Sequence, residues 1–323
     1  MPATNAPPTS FVTEQDLVAW LRSLPKPNPG IWPVGIGDDA AILHPSPNDE
    51  LVISTDMLLE GSCFLIAQAG PLRVGRKALA VNLSDLAAMA ARPLGCFLSL
   101  ALPKSGDRSI AQKVIQGLLE KAAQFNCPLL GGDTNSWNGP LAISVTVIGT
   151  TLKGKAVRRN GAKLGDWLLV TGQLGGSILG HHLDFTARIT EALIIADMVQ
   201  IHAMMDISDG LARDTRTLCE ASGLGACLHA DHIPISSDAH QLQAIAALGI
   251  AGSTPLEHAL GDGEDYELLM AVSPADGQKL LSSQPLQSTS ITKVGECVAE
   301  GFWLLENNKR NLLQNQGWQH NWA

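Results

Sequence analysis

Five short acidic segments hold the residues best placed to do chemistry: Gly35-Ile36-Gly37-Asp38-Asp39, Ser54-Thr55-Asp56, Asn82-Leu83-Ser84-Asp85, Gly131-Gly132-Asp133-Thr134 and Asp206-Ile207-Ser208-Asp209-Gly210. Each is expected just past a predicted strand, where a rigid element holds the carboxylate and the following loop or helix start offers N–H donors. Singly, such an aspartate reads first as a helix cap or turn former. Five in one chain, two of them with glycines that would let a ligand approach the backbone, point instead to a shared metal and phosphate site. Carboxylates that converge without lysines repel one another unless divalent cations hold them together. No Walker-type phosphate loop is present, so aspartate-bound magnesium would replace its lysine.

Other residues are weaker candidates. Arg159, in Arg158-Arg159-Asn160-Gly161, offers a planar and permanently charged fork for phosphate oxygens, or is a solvated linker arginine. His229-x-x-His232 lacks the further ligands of a zinc site and reads as a surface pair; His181-His182 reads as a helix end or surface. The glycine-rich stretch 172–180 lacks the dinucleotide fingerprint. None of the nine histidines falls within an acidic motif, and Cys63 has no adjacent base, so phosphoryl transfer is expected to be direct rather than through a phosphoenzyme.

The elements that must position these residues alternate between helical and strand patterns. Thr13 can cap a helix to about Leu24, with Leu17, Val18, Leu21 and Leu24 on one stripe, and the prolines of 25–33 end it. Short apolar runs at 40–43 and 51–54 precede a helical stretch over 71–91 whose alanines suit close packing; 94–102 and 141–150 read as strands and 108–125 as a helix. A second unit begins after Lys153-Gly154-Lys155. In it, strands at 167–171, 204–207, 226–229, 267–272 and 290–297 alternate with helices at 190–200, 211–221, 237–248 and 274–283. The expected division is residues 1–153 and 154–323, two α/β or α+β domains, with the second completing the site.

Composition excludes several classes. With 45% apolar and 16% charged residues the chain is a globular protein, and a net charge of −9 argues against a nucleic-acid partner. No apolar run approaches the roughly 20 residues of a membrane span. The start of the chain shows no secretory signal. The six dispersed cysteines form no C-x-x-C pair, as expected of reduced thiols in the cytoplasm.

The acidic segments, with Ala80-Val81-Asn82-Leu83-Ser84-Asp85-Leu86-Ala87, Gly165-Asp166-Trp167, Asp206-Ile207-Ser208-Asp209-Gly210-Leu211 and Gly263-Glu264-Asp265-Tyr266-Glu267-Leu268, closely resemble the thiamine-monophosphate kinase family, in the same order, from about residue 30 to the C-terminus. The resemblance implies the two-domain fold of the aminoimidazole-ribonucleotide synthetase-like proteins: an N-terminal α+β domain that dimerises through a β-barrel, then an α/β domain. It implies transfer of the γ-phosphoryl group of ATP to thiamine monophosphate. By the same resemblance Asp38, Asp39, Thr55, Asp56, Asp85, Asp133, Asp206 and Asp209 would hold Mg2+; Ser54, Gly132, Asp133, Arg159 and Ser208 would bind ATP; and Cys63, Glu264 and Trp318 would contact the acceptor. The chain departs from the family where Gly61-Ser62-Cys63-Phe64 replaces Gly-x-His-Phe, and where Asp184-Phe185-Thr186-Ala187-Arg188 replaces a proline-rich segment. Another ATP-using enzyme of this superfamily, and a non-catalytic nucleotide-binding scaffold, are the alternatives.

Overall fold

In a computed structural model of the chain, residues 14–36, 40–105, 109–246 and 254–319 are described, and they fall into two compact units. The first comprises residues 1–86 and 92–155, the second 87–91 and 156–323.

The N-terminal unit contains α1 (Glu14–Ser23), β1 (Asp49–Leu59), α2 (Ile66–Ala69), α3 (Pro71–Ala88), β2 (Arg92–Pro103), α4 (Ser109–Gln124), β3 (Leu129–Trp137) and β4 (Ala142–Leu152). Its four strands run in the order β1-β4-β2-β3, antiparallel except for β2 with β3. The alternation of β4 turns Ile143, Val145 and Val147 into the core, each essentially inaccessible to solvent. The small residues of α3 serve the close packing expected of them: a Cβ on Gly75 would fall 1.9 Å from the Val114 carbonyl oxygen of α4.

One expectation is corrected here. Asp56 and Asp133 lie within β1 and β3, and Asp85 lies inside α3, rather than just past strands. β1 runs past Asp56 because it pairs with β4 along its whole length, from Asp49↔Leu152 to Leu59↔Ala142. α3 continues through the motif with the buried Asn82 side chain donating back to the Ala78 carbonyl (3.1 Å), which gives its amide nitrogen a partner inside the helix. Within one chain the sheet is open, with β1 and β3 as its edges. The strands expected at 94–102 and 141–150 are interior to it; the apolar edge is β1, where Leu51, Ile53, Met57 and Leu59 are exposed on one face.

The C-terminal unit contains β5 (Trp167–Thr171), α5 (His181–Asp184), α6 (Ile189–Met198), β6 (Ile201–Asp206), α7 (Leu211–Glu220), β7 (Gly225–His229), α8 (Ser237–Ala246), α9 (Pro255–Gly261), β8 (Leu268–Val272), α10 (Pro274–Ser283), β9 (Ile291–Val298), β10 (Phe302–Glu306) and β11 (Lys309–Leu312). Its seven strands run β11-β10-β7-β9-β5-β8-β6, and β10 with β7 is their one parallel pair. All five residues of β8 are inaccessible, as befits a strand covered on both faces. The core joins Leu168, Val170, Met205, Leu218, Leu228 and Leu269.

Arg188, in the segment that departs from the family pattern, braces this unit. Its guanidinium forks onto Glu267, with Nε 2.8 Å from Oε2, and reaches Thr289 (3.0 Å) and Glu191 (3.3 Å); Thr171 also donates to Glu267 (2.6 Å). Glu267 is 2% exposed, so removing its cation strands a charge in the interior. Arg188→Met is therefore expected to cost about 3 kcal/mol and to lower Tm by about 10 °C in calorimetry. Adding Glu267→Gln should recover part of that loss, because the buried charge goes with it.

Candidate active site

In the N-terminal unit, β1 and α3 bring three of the expected residues together. The Ser54 hydroxyl donates to Asp85 Oδ2, bridging strand to helix. Asp56, two residues along and so on the same face as Ser54, has its pKa raised to about 6 by burial and by the neighbouring Asp85 charge. The same alternation sends Thr55 to the other face, where its hydroxyl donates to the Val145 carbonyl (3.1 Å) and accepts from Thr146 (3.0 Å). Strand register carries the division across the sheet. Asp56, Val145, Leu98 and Gly132 form one row, and Met57, Ser144, Ser99 and Asp133 form the next. Asp133 thus belongs to the row opposite Asp56 in the pleat. Asp38 and Asp39 lie outside the described residues.

Gly132 borders a cavity of about 580 Å³, whose walls include Leu21, Ile36, Phe97, Leu100 and Leu130, with Asp133 and Thr134 beside the glycine; small-ligand pockets run to roughly 300–1,000 Å³. The apolar walls suit a flat, uncharged group such as a base. The need for glycine differs from the one expected, however. A Cβ at residue 132, where φ is +158°, would sit 1.8 Å from the Leu98 carbonyl oxygen, so the neighbouring strand rather than a ligand excludes a side chain. Cys63 is half-buried in the turn after β1, with its carbonyl oxygen accepting from the buried Lys77 ammonium (2.9 Å).

In the C-terminal unit, Asp206 ends β6 and the loop 207–210 leads into α7. This loop is a hub of main-chain hydrogen bonds. The Ile207 carbonyl accepts from Tyr266 N–H (2.8 Å), the Ser208 carbonyl from Glu264 N–H (2.7 Å), and the Asp209 carbonyl from Trp318 N–H (2.9 Å). Five expected site residues, Asp206, Ser208, Asp209, Glu264 and Trp318, are thereby gathered in one place. The Glu264 segment is held in turn from the glycine-rich stretch after β5: Gly175 N–H donates to Asp265 (2.8 Å), Gly176 N–H to Asp262 (2.8 Å), and Ser177 to the Gly263 carbonyl (2.7 Å). Glu264 and Tyr266 both have positive φ, 54° and 52°, a local strain that these bonds and the stacking of Tyr266 on Phe185 (centroids 4.0 Å apart) sustain.

One functional residue escaped the sequence reading. Asp214, on the first turn of α7 and 1% exposed, accepts from the N–H groups of Asp209 (3.0 Å) and Gly210 (3.1 Å) and so shapes the loop. Burial, then the charges of Asp209 and Asp206, raise its pKa to about 8. The signal was an acid four residues after the Asp-Gly pair, in helix-capping range. Arg159 is exposed, and the carbonyl of its neighbour Arg158 accepts from Met204 N–H of β6 (2.9 Å). His229 and His232 stand 5.2 Å apart as ring centroids, and among the described residues no three His, Cys, Asp or Glu side chains form a metal cage.

The donor set nevertheless fits magnesium. It consists of hard carboxylate oxygens in small groups, and Mg2+ takes one or two carboxylates with waters and phosphate oxygens rather than a complete protein cage. The raised pKa values of Asp56 and Asp214 come first from burial and then from neighbouring acidic charges, and a cation would relieve the second.

Comparison with known proteins identifies the family. Residues 37–151 match the family model of the AIR synthase related protein N-terminal domain, and residues 148–302 match its C-terminal domain. A thiamine-monophosphate kinase of Rhodopirellula baltica is 38% identical over 316 residues, covering 95% of this chain and 97% of the relative. The crystal structure of thiamine-monophosphate kinase from Stenotrophomonas maltophilia superposes with a TM-score of 0.75 at 32% identity, covering 90% of this chain and 94% of that one. A solved complex, AaThiL with AMPPCP and TMP, does so with a TM-score of 0.72 at 30% identity over 88% of this chain and 92% of its own. The chain belongs to the thiamine-monophosphate kinase family.

Proposed function

We propose that the chain transfers the γ-phosphoryl group of ATP to the phosphate of thiamine monophosphate, giving thiamine diphosphate and ADP, with Mg2+ held by Asp56 and Asp85 in the N-terminal unit and by Asp206 and Asp209 in the C-terminal unit. The observation that carries this assignment is the meeting of acids where β1 faces α3: Ser54 donates to Asp85, and Asp56, on the same face of the strand, has its pKa pushed up to about 6 by burial and by the Asp85 charge. Bound magnesium would neutralise the two anionic phosphates and let them approach. Asp38 and Asp39 would complete the shell; Asp133 would bind from the other face of the sheet, away from Asp56, and a share for Thr55 falls to its main chain, because its hydroxyl is engaged on that other face.

The chain's own residues bind and orient. Ser54 fixes Asp85. The apolar cavity beside Gly132 takes the base, Ser208 and Arg159 clamp phosphates, and Cys63, Glu264 and Trp318 hold the acceptor. An oxygen of the acceptor phosphate then bonds to the γ-phosphorus as the bond to the β–γ bridging oxygen breaks, and ADP leaves. Holding the reactants in line is the main demand of such a transfer, and no protein nucleophile is required.

We further propose that two N-terminal sheets close into a barrel across a homodimer. Ile53 and Met57, 62% and 65% exposed on edge strand β1, form an apolar strip that natural sheets cover. Among the described residues no helix is long and apolar enough to cross a membrane. The six cysteines are free thiols, and on that ground we place the enzyme in the reducing cytoplasm.

Asp56→Asn, Asp85→Asn and Asp206→Asn should each lower kcat/KM by more than about a hundredfold while circular dichroism stays unchanged. Near-normal turnover in any two at saturating magnesium would sink the site assignment. The pH dependence has a definite sign. Asp56 and Asp214 hold protons more tightly folded than unfolded, so their stabilising contribution is complete below about pH 4 and is lost as pH rises through about 6 and about 8. Metal-free protein should therefore lose thermal stability across that range, and added Mg2+ should raise Tm more at pH 8 than at pH 5.5. An equal effect at both pH values would contradict carboxylate ligation. For the dimer, sedimentation at micromolar concentration should show two copies, and Ile53→Asp with Met57→Asp should give a monomer.

A further inference from the structure

The acceptor contacts assigned above are held in different ways. Glu264 sits in a loop pinned on both sides, whereas the Trp318 side chain is 54% exposed and goes where its backbone puts it. That backbone emerges from the buried Leu313 and is braced against α7 and the loop before it. Arg216 Nη2 reaches the Leu313 carbonyl (3.5 Å), Trp318 N–H donates to the Asp209 carbonyl (2.9 Å), and Arg213 Nη2 reaches Gln319 Oε1 (3.4 Å). Residues 213 and 216 are three apart on α7, so both arginines address the tail from one face.

Arg213 does more than reach the tail's end. Gly317, at φ +127°, lies so close that a Cβ there would fall 2.6 Å from the Asp209 carbonyl oxygen, 2.9 Å from Arg213 Cβ and 3.2 Å from Arg213 Nε. Arg213 Nε is buried without a hydrogen-bond partner. A buried, unpaired donor is costly, so the side chain keeps this position only because its stem packs under the tail and its far end is engaged there.

We infer that Arg213 is a positioning residue for the phosphate acceptor: with Gly317 it clamps the C-terminal segment onto the Asp209 carbonyl and so sets where the exposed Trp318 indole stands. This rests on the assignment of Trp318 to the acceptor. Arg213 touches neither reactant in this account.

The full-length enzyme provides two separate readouts. Hydrogen exchange of the C-terminal peptide containing Trp318 reports the clamp without turnover, and steady-state kinetics with thiamine monophosphate and Mg-ATP reports its consequence. Arg213→Ala should speed exchange at Trp318 about tenfold and raise KM for thiamine monophosphate about fivefold, with KM for ATP held within about twofold. Arg213→Lys, which keeps the stem, should restore much of both. Gly317→Ala attacks the clamp from the other side, by pressing on the Asp209 carbonyl, and should likewise speed exchange at Trp318. Unchanged exchange at Trp318 in both Arg213→Ala and Gly317→Ala would overturn the clamp, as would KM values for both substrates rising together. Trp318→Ala separates the two layers. An unaltered acceptor KM in that variant would remove the assignment of Trp318, and with it the role given to Arg213, even if exchange in Arg213→Ala were faster.

Discussion

Carboxylates packed against one another, partly out of water, are the constraint around which both units are arranged. Asp56 beside Asp85, and Asp214 behind Asp209 and Asp206, are crowded enough that burial and like charge raise two of the five well above the ordinary carboxylate range. A protein gains nothing from such crowding in isolation. The arrangement makes sense when cations and phosphates complete it, and its instability without them is the counterpart of its affinity for them.

Much of the surrounding structure keeps those groups where they are. Ser54 ties β1 to α3 through Asp85, and Asp214 ties the loop before α7 to the helix itself. The carbonyls of Ser208 and Asp209 then hold Glu264 and Trp318. One loop thus carries carboxylates on its side chains and acceptor contacts on its main chain. Precise placement of this kind is what a phosphoryl transfer without covalent catalysis requires.

The N-terminal sheet separates two duties by the period of a strand. Ser54 and Asp56 face the side of α3, while Ile53, Thr55 and Met57 face the opposite, exposed side. A shift of register by one residue would exchange the apolar strip for the acidic one, so the eleven-residue pairing of β1 with β4 protects both functions at once.

The family, the order of the motifs and most elements were legible in the sequence, because repeated apolar spacing and acidic segments such as Asp206-Ile207-Ser208-Asp209-Gly210 are local features. Strand 167–171 was placed to the residue, and the helix expected at 274–283 is α10, Pro274–Ser283. Strand β3 was not foreseen, since Gly131 and Gly132 read as a loop until β2 supplies a partner. Asp214 and Arg188 were passed over because their importance depends on what lies beside them: the N–H groups of Asp209 and Gly210 in one case, the buried Glu267 in the other. Sequence alone determined which residue types are available for metal and phosphate chemistry. Tertiary structure decided which of them share a face, which are buried and which backbone groups hold them, because pairing register and desolvation arise only when distant segments meet.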